Sequence, residues 1–223
     1  MSVFEEGPHI DLRPPRPKET AFAYLNRCAG AEADAARSRI EDWLARYPRP
    51  QALAVRLRSP LDDQHRSAFF ELLLHQLLLS LGHHVAAIEP KLAHTWKSPD
   101  FLVESIEGHR FYLEGVSASQ DDLHSVLKRK ANRYGALDLP LVVAVNCGQD
   151  DEAVRQVLLG EDGLWLGPRG PQRRGLSAVF AVEKVDPWTI ADRRGRLFRH
   201  PDPDHPLPQL ELGESVVLGA SLR

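Results

Sequence analysis

The order of hydrophobic periods along the chain predicts an α/β fold, a mixed sheet flanked by helices, and three observations carry that reading. Residues 62–81 form an apolar run of helical length. Short apolar and β-branched runs then take over between residues 84 and 146. A helical segment separates the third of these runs from the fourth, and a strand–helix–strand order of that kind makes neighbouring parallel strands.

Taken in order, residues 1–18 contain four prolines among scattered charges and predict a disordered or draped arm. From Thr20 the spacing turns helical, with Phe22, Leu25 and Cys28 on one side. A second helix runs through AEADAARSRIEDWLARYP, carrying Ile40, Trp43 and Leu44, and Pro48 and Pro50 end it. The long helix follows SPLDD and stops at Gly82. HVAAIEP, DFLVESI, RFYLEGVS and LVVAVN are four strands, the second and third joined through Glu107-Gly108 as a hairpin. SQDDLHSVLKRKANRYGALDLP supplies the crossover helix, capped by Ser119 and ended by Gly135. Beyond it come a short helix (DEAVRQVLL), a GPRGPQRRG loop, an apolar strand (LSAVFAVEKV) and a proline-rich tail. The expected organisation is an arm with a helical extension over residues 1–60 and an α/β domain over residues 61–223.

Composition limits the function classes. The chain has 43% hydrophobic and 26% charged residues and a net charge of −3, so no global basic field draws it onto nucleic acid, and any phosphate-binding surface is local. No run approaches the roughly 20 apolar residues of a membrane helix. The acidic, proline-rich N-terminus does not have the pattern of a secretory signal. Cys28 and Cys147 lie far apart with no CxxC spacing, which points to a cytoplasmic protein and away from a disulfide framework.

The two acids placed in strands raise the chemical question. Asp100 opens DFLVESI behind Pro99, and Glu114 sits inside RFYLEGVS. A buried carboxylate costs several kcal/mol unless a partner offsets it. A tight hairpin brings Asp100 and Glu114 towards each other at the end away from the turn. Two like charges held close call for a cation, and oxygen donors suit Mg²⁺ or Mn²⁺. The plainer alternative is that Asp100 caps a turn and Glu114 pairs with a surface arginine.

An acidic helix, a Pro-Asp at a strand start, a hairpin, and an acid in the next strand before a crossover helix resemble the PD-(D/E)XK, restriction-endonuclease-like nuclease superfamily. The resemblance covers roughly residues 69–146. It implies an αβββαβ core in which Asp100 and Glu114 bind a catalytic magnesium. Glu71 on the preceding helix would assist, and the Gly115 carbonyl would be a further ligand. The phrases FFELLLHQLLLSLGHHV, PDFLV, FYLEGVSAS, KRKANRYGALDLPLVVAVN and GLWLGPRG also look like a group of bacterial proteins sharing such a core.

The superfamily places a lysine two residues after the second acid, where this chain has Val116. A lysine supplied from the following helix is the expected substitute. Leu127, Lys130, Ala131 and Tyr134 share one helical face, so Lys130 is the first choice, with Lys128 further round and Lys97 as fallback. The chain has 22 arginines and six lysines, yet Lys91, Lys97, Lys128 and Lys130 all fall between positions 91 and 130. A lysine amine can exchange a proton, which a guanidinium does not readily do. His75 and Gln76 share the polar stripe of Glu71 and would support the metal site or a phosphate. Arg169, Arg173 and Arg174 make GPRGPQRRG the candidate phosphate-contacting loop, with Lys97 and Lys128 as further nucleic-acid contacts. HPDPDH (residues 200–205) is expected as an exposed loop, His83-His84 as a turn, and Trp43, Trp165 and Trp188 as core. The functional expectation is a Mg²⁺- or Mn²⁺-dependent nuclease acting on nucleic acid, DNA ahead of RNA. The alternative is an inactive nuclease-like module that binds nucleic acid or a protein.

Overall fold

The computed structural model describes residues 2–5, 7, 9–119, 122–167, 170–190, 193–208, 212 and 214–222. Arg169, one of the expected phosphate contacts, lies outside them. The chain divides into two compact units, residues 1–76 with 185–190, and residues 77–184 with 191–223.

The first unit is helical. Its elements are α1 (Ala21–Arg27), α2 (Ala31–Ala45), α3 (Pro50–Leu57) and the greater part of α4 (Asp62–Ser80). Thr20 caps α1, its side chain accepting the Ala23 N–H at 3.2 Å. The arm is draped over this unit: Val3 and Phe4 are buried, and Glu41 accepts the Val3 N–H at 2.6 Å. The helix α3 departs from the sequence expectation, in which Pro50 only ended a helix. Pro50 occupies the first turn of α3, where its missing N–H would have had no helical partner.

The second unit is built on one mixed seven-stranded sheet. After β1 (His84–Ile88), β2 (Phe101–Glu104) and β3 (Arg110–Ser117) come α5 (Leu123–Ala131), β4 (Leu141–Cys147) and α6 (Asp151–Leu159). Two short strands, β5 (Leu166–Gly167) and β6 (Gly170–Pro171), pair apart from the main sheet. The chain then adds β7 (Ala178–Glu183), β8 (Arg194–Arg199), β9 (Ser215–Val217) and α7 (Leu218–Ser221). The sheet order is β1-β2-β3-β4-β7-β8-β9. The pairs β3–β4 and β4–β7 are parallel and the others antiparallel. Every residue of β4 is buried, as suits a central strand covered on both faces.

The β2–β3 hairpin closes through residues 105–109, with the Ser105 N–H donating to the His109 carbonyl at 2.8 Å and Gly108 at φ +83°. That left-handed position is why the turn carries a glycine. The helix α5 is shorter than expected: it runs from the Asp122 cap to Ala131, and Ser119 bonds the Asp122 carboxylate at 2.8 Å instead of capping the helix. The proline-rich tail also departs from expectation, because β8 and β9 extend the sheet. Leu197 and Phe198 of β8 are buried, and Gly195 lies so close under Phe180 that a Cβ there would stand 2.3 Å from the ring. On one face of the sheet Leu102, Tyr112, Leu141, Val143 and Val145 pack with Leu123 and Leu127 of α5 and Val154 and Leu158 of α6. This is the face that carries Glu114. No helix among the described residues is long and apolar enough to cross a membrane.

Candidate functional site

The hairpin register decides where the two acids lie. Phe101 pairs with Leu113 and Leu102 with Tyr112, so the next step of the same antiparallel ladder sets Asp100 opposite Glu114. Both therefore project from the α5-covered face, beside the carboxyl-terminal half of β3. An Asp100 carboxylate oxygen (Oδ2) accepts the Gly115 N–H at 2.7 Å.

Glu114 is almost completely buried, at 2% exposure, and both of its oxygens are engaged. The Lys130 ammonium donates to Oε1 in a very short contact, and Arg133 Nη1 lies 3.5 Å from the same oxygen. The Tyr134 hydroxyl donates to Oε2 at 2.5 Å, with the Ser98 carbonyl 3.3 Å from that hydroxyl. A phenol has one proton to give, and the shorter contact takes it. Burial first, and then the Glu114 charge beside it, pushes the Tyr134 pKa far above the ordinary tyrosine value. Tyr134 is thus held as a donor. The helix α5 carries Lys130, and the turn that follows its end at Ala131 carries Arg133 and Tyr134, so helix and turn together position all three groups.

A hard divalent cation requires oxygen donors. Asp100 and Glu114 present carboxylates from neighbouring strands. Tyr112 N–H bonds Pro140 and Ala118 N–H bonds Asn146 on the β4 side, so in this alternating ladder Gly115 turns its N–H and C=O the other way, towards Asp100. Two carboxylates and a carbonyl are a partial set of the kind that water completes around Mg²⁺. Among the described residues no group of three or more His, Cys, Asp or Glu side chains comes together to hold a metal ion.

Glu71 has its own set of partners. Tyr47 Oη makes a very short hydrogen bond to Oε1, and Arg56 Nη2 lies 2.6 Å from Oε2. His75 is buried edge-on against Tyr47, with ring centroids 4.9 Å apart, and its Nδ1 lies 3.0 Å from Gln76 Nε2. Lys128 is exposed on α5, on a different side from Lys130. Lys97 sits over the ring of Trp96, 5.8 Å from its centroid, and Trp96 is 90% exposed. Arg174 faces Asp204 at 3.2 Å and Asp202 at 3.6 Å. Arg173 adopts a left-handed backbone with φ +55°. His83 is buried against Phe111, and His200 is buried at the start of the HPDPDH loop. Trp43 and Trp165 are buried, and Trp188 is half-buried beside Tyr24.

Sequence reasoning did not assign Tyr134, Arg133 or Trp96. The signal for Tyr134 was its helical spacing from Lys130 in the sequence, although the helix itself ends at Ala131. No family model, curated protein or solved structure matches this chain.

Proposed function

We propose that the protein is a restriction-endonuclease-like module whose Asp100, Glu114 and Lys130 support Mg²⁺- or Mn²⁺-dependent hydrolysis of nucleic-acid phosphodiester bonds, DNA ahead of RNA. The observation that carries this reading is the contact between Lys130 and Glu114. A lysine from the crossover helix reaches the strand acid that Val116 leaves without a neighbouring amine. The order α4-β1-β2-β3-α5-β4 supports the αβββαβ core that the motifs imply.

In this reading Asp100, Glu114 and the Gly115 carbonyl are the residues that would hold the cation. When bound, the ion polarises a phosphate oxygen and lowers the pKa of its water. Asp100 is held by the Gly115 N–H, and Glu114 by Tyr134 and Lys130, so both carboxylates are oriented before substrate arrives. Lys130 offsets the paired acids in the resting site and stabilises charge that develops on the phosphate. Its amine can also pass a proton, a role closed to Arg133.

A second reading, a binding module without turnover, is favoured by one feature: both Glu114 oxygens are already occupied. A panel of single- and double-stranded DNA and RNA, incubated with Mg²⁺ or Mn²⁺, separates the two. Cleavage is expected from the wild type, and Asp100→Asn and Lys130→Gln should each lower it by about a hundredfold or more. Calorimetric metal binding that needs Asp100, with no cleavage of any substrate, selects the binding module. If neither metal binding nor cleavage occurs, both readings fail.

A further inference from the structure

A second cluster of cations lies apart from the acidic pair. His124 and Lys128, four residues apart on the exposed side of α5, face Arg173 across a cavity of about 210 Å³. Glu161 and Asp162, on the turn after α6, and Gln172 complete most of its wall. The backbone that presents Arg173 is fixed on both sides. The Gln172 N–H donates to the Trp165 carbonyl at 2.8 Å, and His200 Nε2 donates to the Gln172 carbonyl at 2.7 Å. The Leu176 N–H closes the turn onto the Arg173 carbonyl at 2.9 Å. Arg173 itself takes a left-handed conformation that a non-glycine residue adopts at a cost. Its Nε is buried without a hydrogen-bond partner. A buried N–H of a charged group left unpaired is costly, and an anionic oxygen is the acceptor that best satisfies it. Among the described residues no ion pair joins Lys128 or Arg173 to Glu161 or Asp162, although all four line the same space.

We infer that this cavity binds a single phosphate group, with Arg173 and Lys128 as its principal contacts and His124 at its edge. The two acids set the limit of one. They cancel the charge of Lys128 and Arg173 over the cavity as a whole, which opposes a continuous track of phosphates but permits one anion seated between the cations. A phosphate at the end of an oligonucleotide and free inorganic phosphate present the same oxygens. The site gathers two of the expected phosphate contacts, Lys128 and Arg173, and because it uses neither Asp100 nor Glu114 its test and that of the nuclease reading fail independently.

The full-length protein tests it by calorimetry at constant ionic strength, with inorganic phosphate and with a short oligonucleotide bearing either a 5′-phosphate or a 5′-hydroxyl. Two variants keep the fold. Lys128→Ala removes an exposed helical side chain, and Arg173→Gly suits the left-handed backbone. Saturable phosphate binding is expected, weakened about tenfold or more by each variant. Preference for the phosphorylated oligonucleotide identifies a nucleic-acid end as the source, and equal affinity for the two identifies free phosphate. The proposal is overturned if phosphate shows no saturable binding up to about 10 mM, or if it binds both variants as it binds the wild type.

Discussion

Two buried glutamates in this protein are held by the same kinds of group, and they differ in what surrounds them. Glu71, on a helix of the first unit, accepts from the Tyr47 hydroxyl and pairs with Arg56. Glu114, on a strand of the second, accepts from the Tyr134 hydroxyl and pairs with Lys130. Among the described residues the cation beside Glu71 is Arg56, whose side chain is 44% exposed. At Glu114 the hairpin register adds a second acid, and the Lys130 side chain is only 11% exposed. The first arrangement ties helices together. The second sets a buried ammonium against a strand acid that has another acid, Asp100, opposite it on the neighbouring strand.

The sharpest break in the comparison should come from removing the cations. Lys130→Met leaves Glu114 buried with only Tyr134 and a distant Arg133, and should cost about 3–5 kcal/mol in urea denaturation. Arg56→Met removes a partner that water can replace, and about 1 kcal/mol is expected. Equal losses would mean that the two glutamates are equivalent. Next in size are the phenols: Tyr134→Phe and Tyr47→Phe each delete a donor to a buried carboxylate and should cost about 2 kcal/mol. Arg133→Ala stands last, because that side chain is 39% exposed and its nitrogen is 3.5 Å away, and about 0.5 kcal/mol or less is expected.

Acid separates the regions in another way. Burial lowers the His75 pKa from the ordinary 6.5 to about 4, so the folded state keeps this ring neutral where the unfolded chain would protonate it. The stability it contributes is complete above pH 6.5 and is lost as the pH falls towards 4. His75→Gln should flatten the fall in melting temperature across that window. A variant that tracks the wild type at every pH would show that His75 takes no part in it.

How far the sequence revealed these sites depends on how local their causes are. The helix α6 coincides with DEAVRQVLL because Asp150 caps it within the same segment. Helical spacing predicted Lys130 and Tyr134 on one face; the helix ends at Ala131, yet both side chains reach Glu114, Tyr134 from the turn that follows. The phenol went unassigned because an aromatic residue in an apolar stripe looks like core. The partners of Glu71 were hidden for a different reason. Tyr47 follows one helix and Arg56 belongs to α3, an element concealed behind the prolines at positions 48 and 50. The strand β8 was obscured by its charged composition, RGRLFR, and by the prolines that connect it to β9. Its place in the sheet is fixed by contacts with β7, which no local pattern encodes.

The approach of Gly195 to Phe180 therefore has a use outside this molecule. A relative that retains this packing must leave that position bare of any side chain, since one methyl group would displace the aromatic ring. Lineages that have lost the acids could still be traced by that pairing of a large ring with an empty place on the neighbouring strand. Descent would then be written in the framework, where changes at the acids need not erase it.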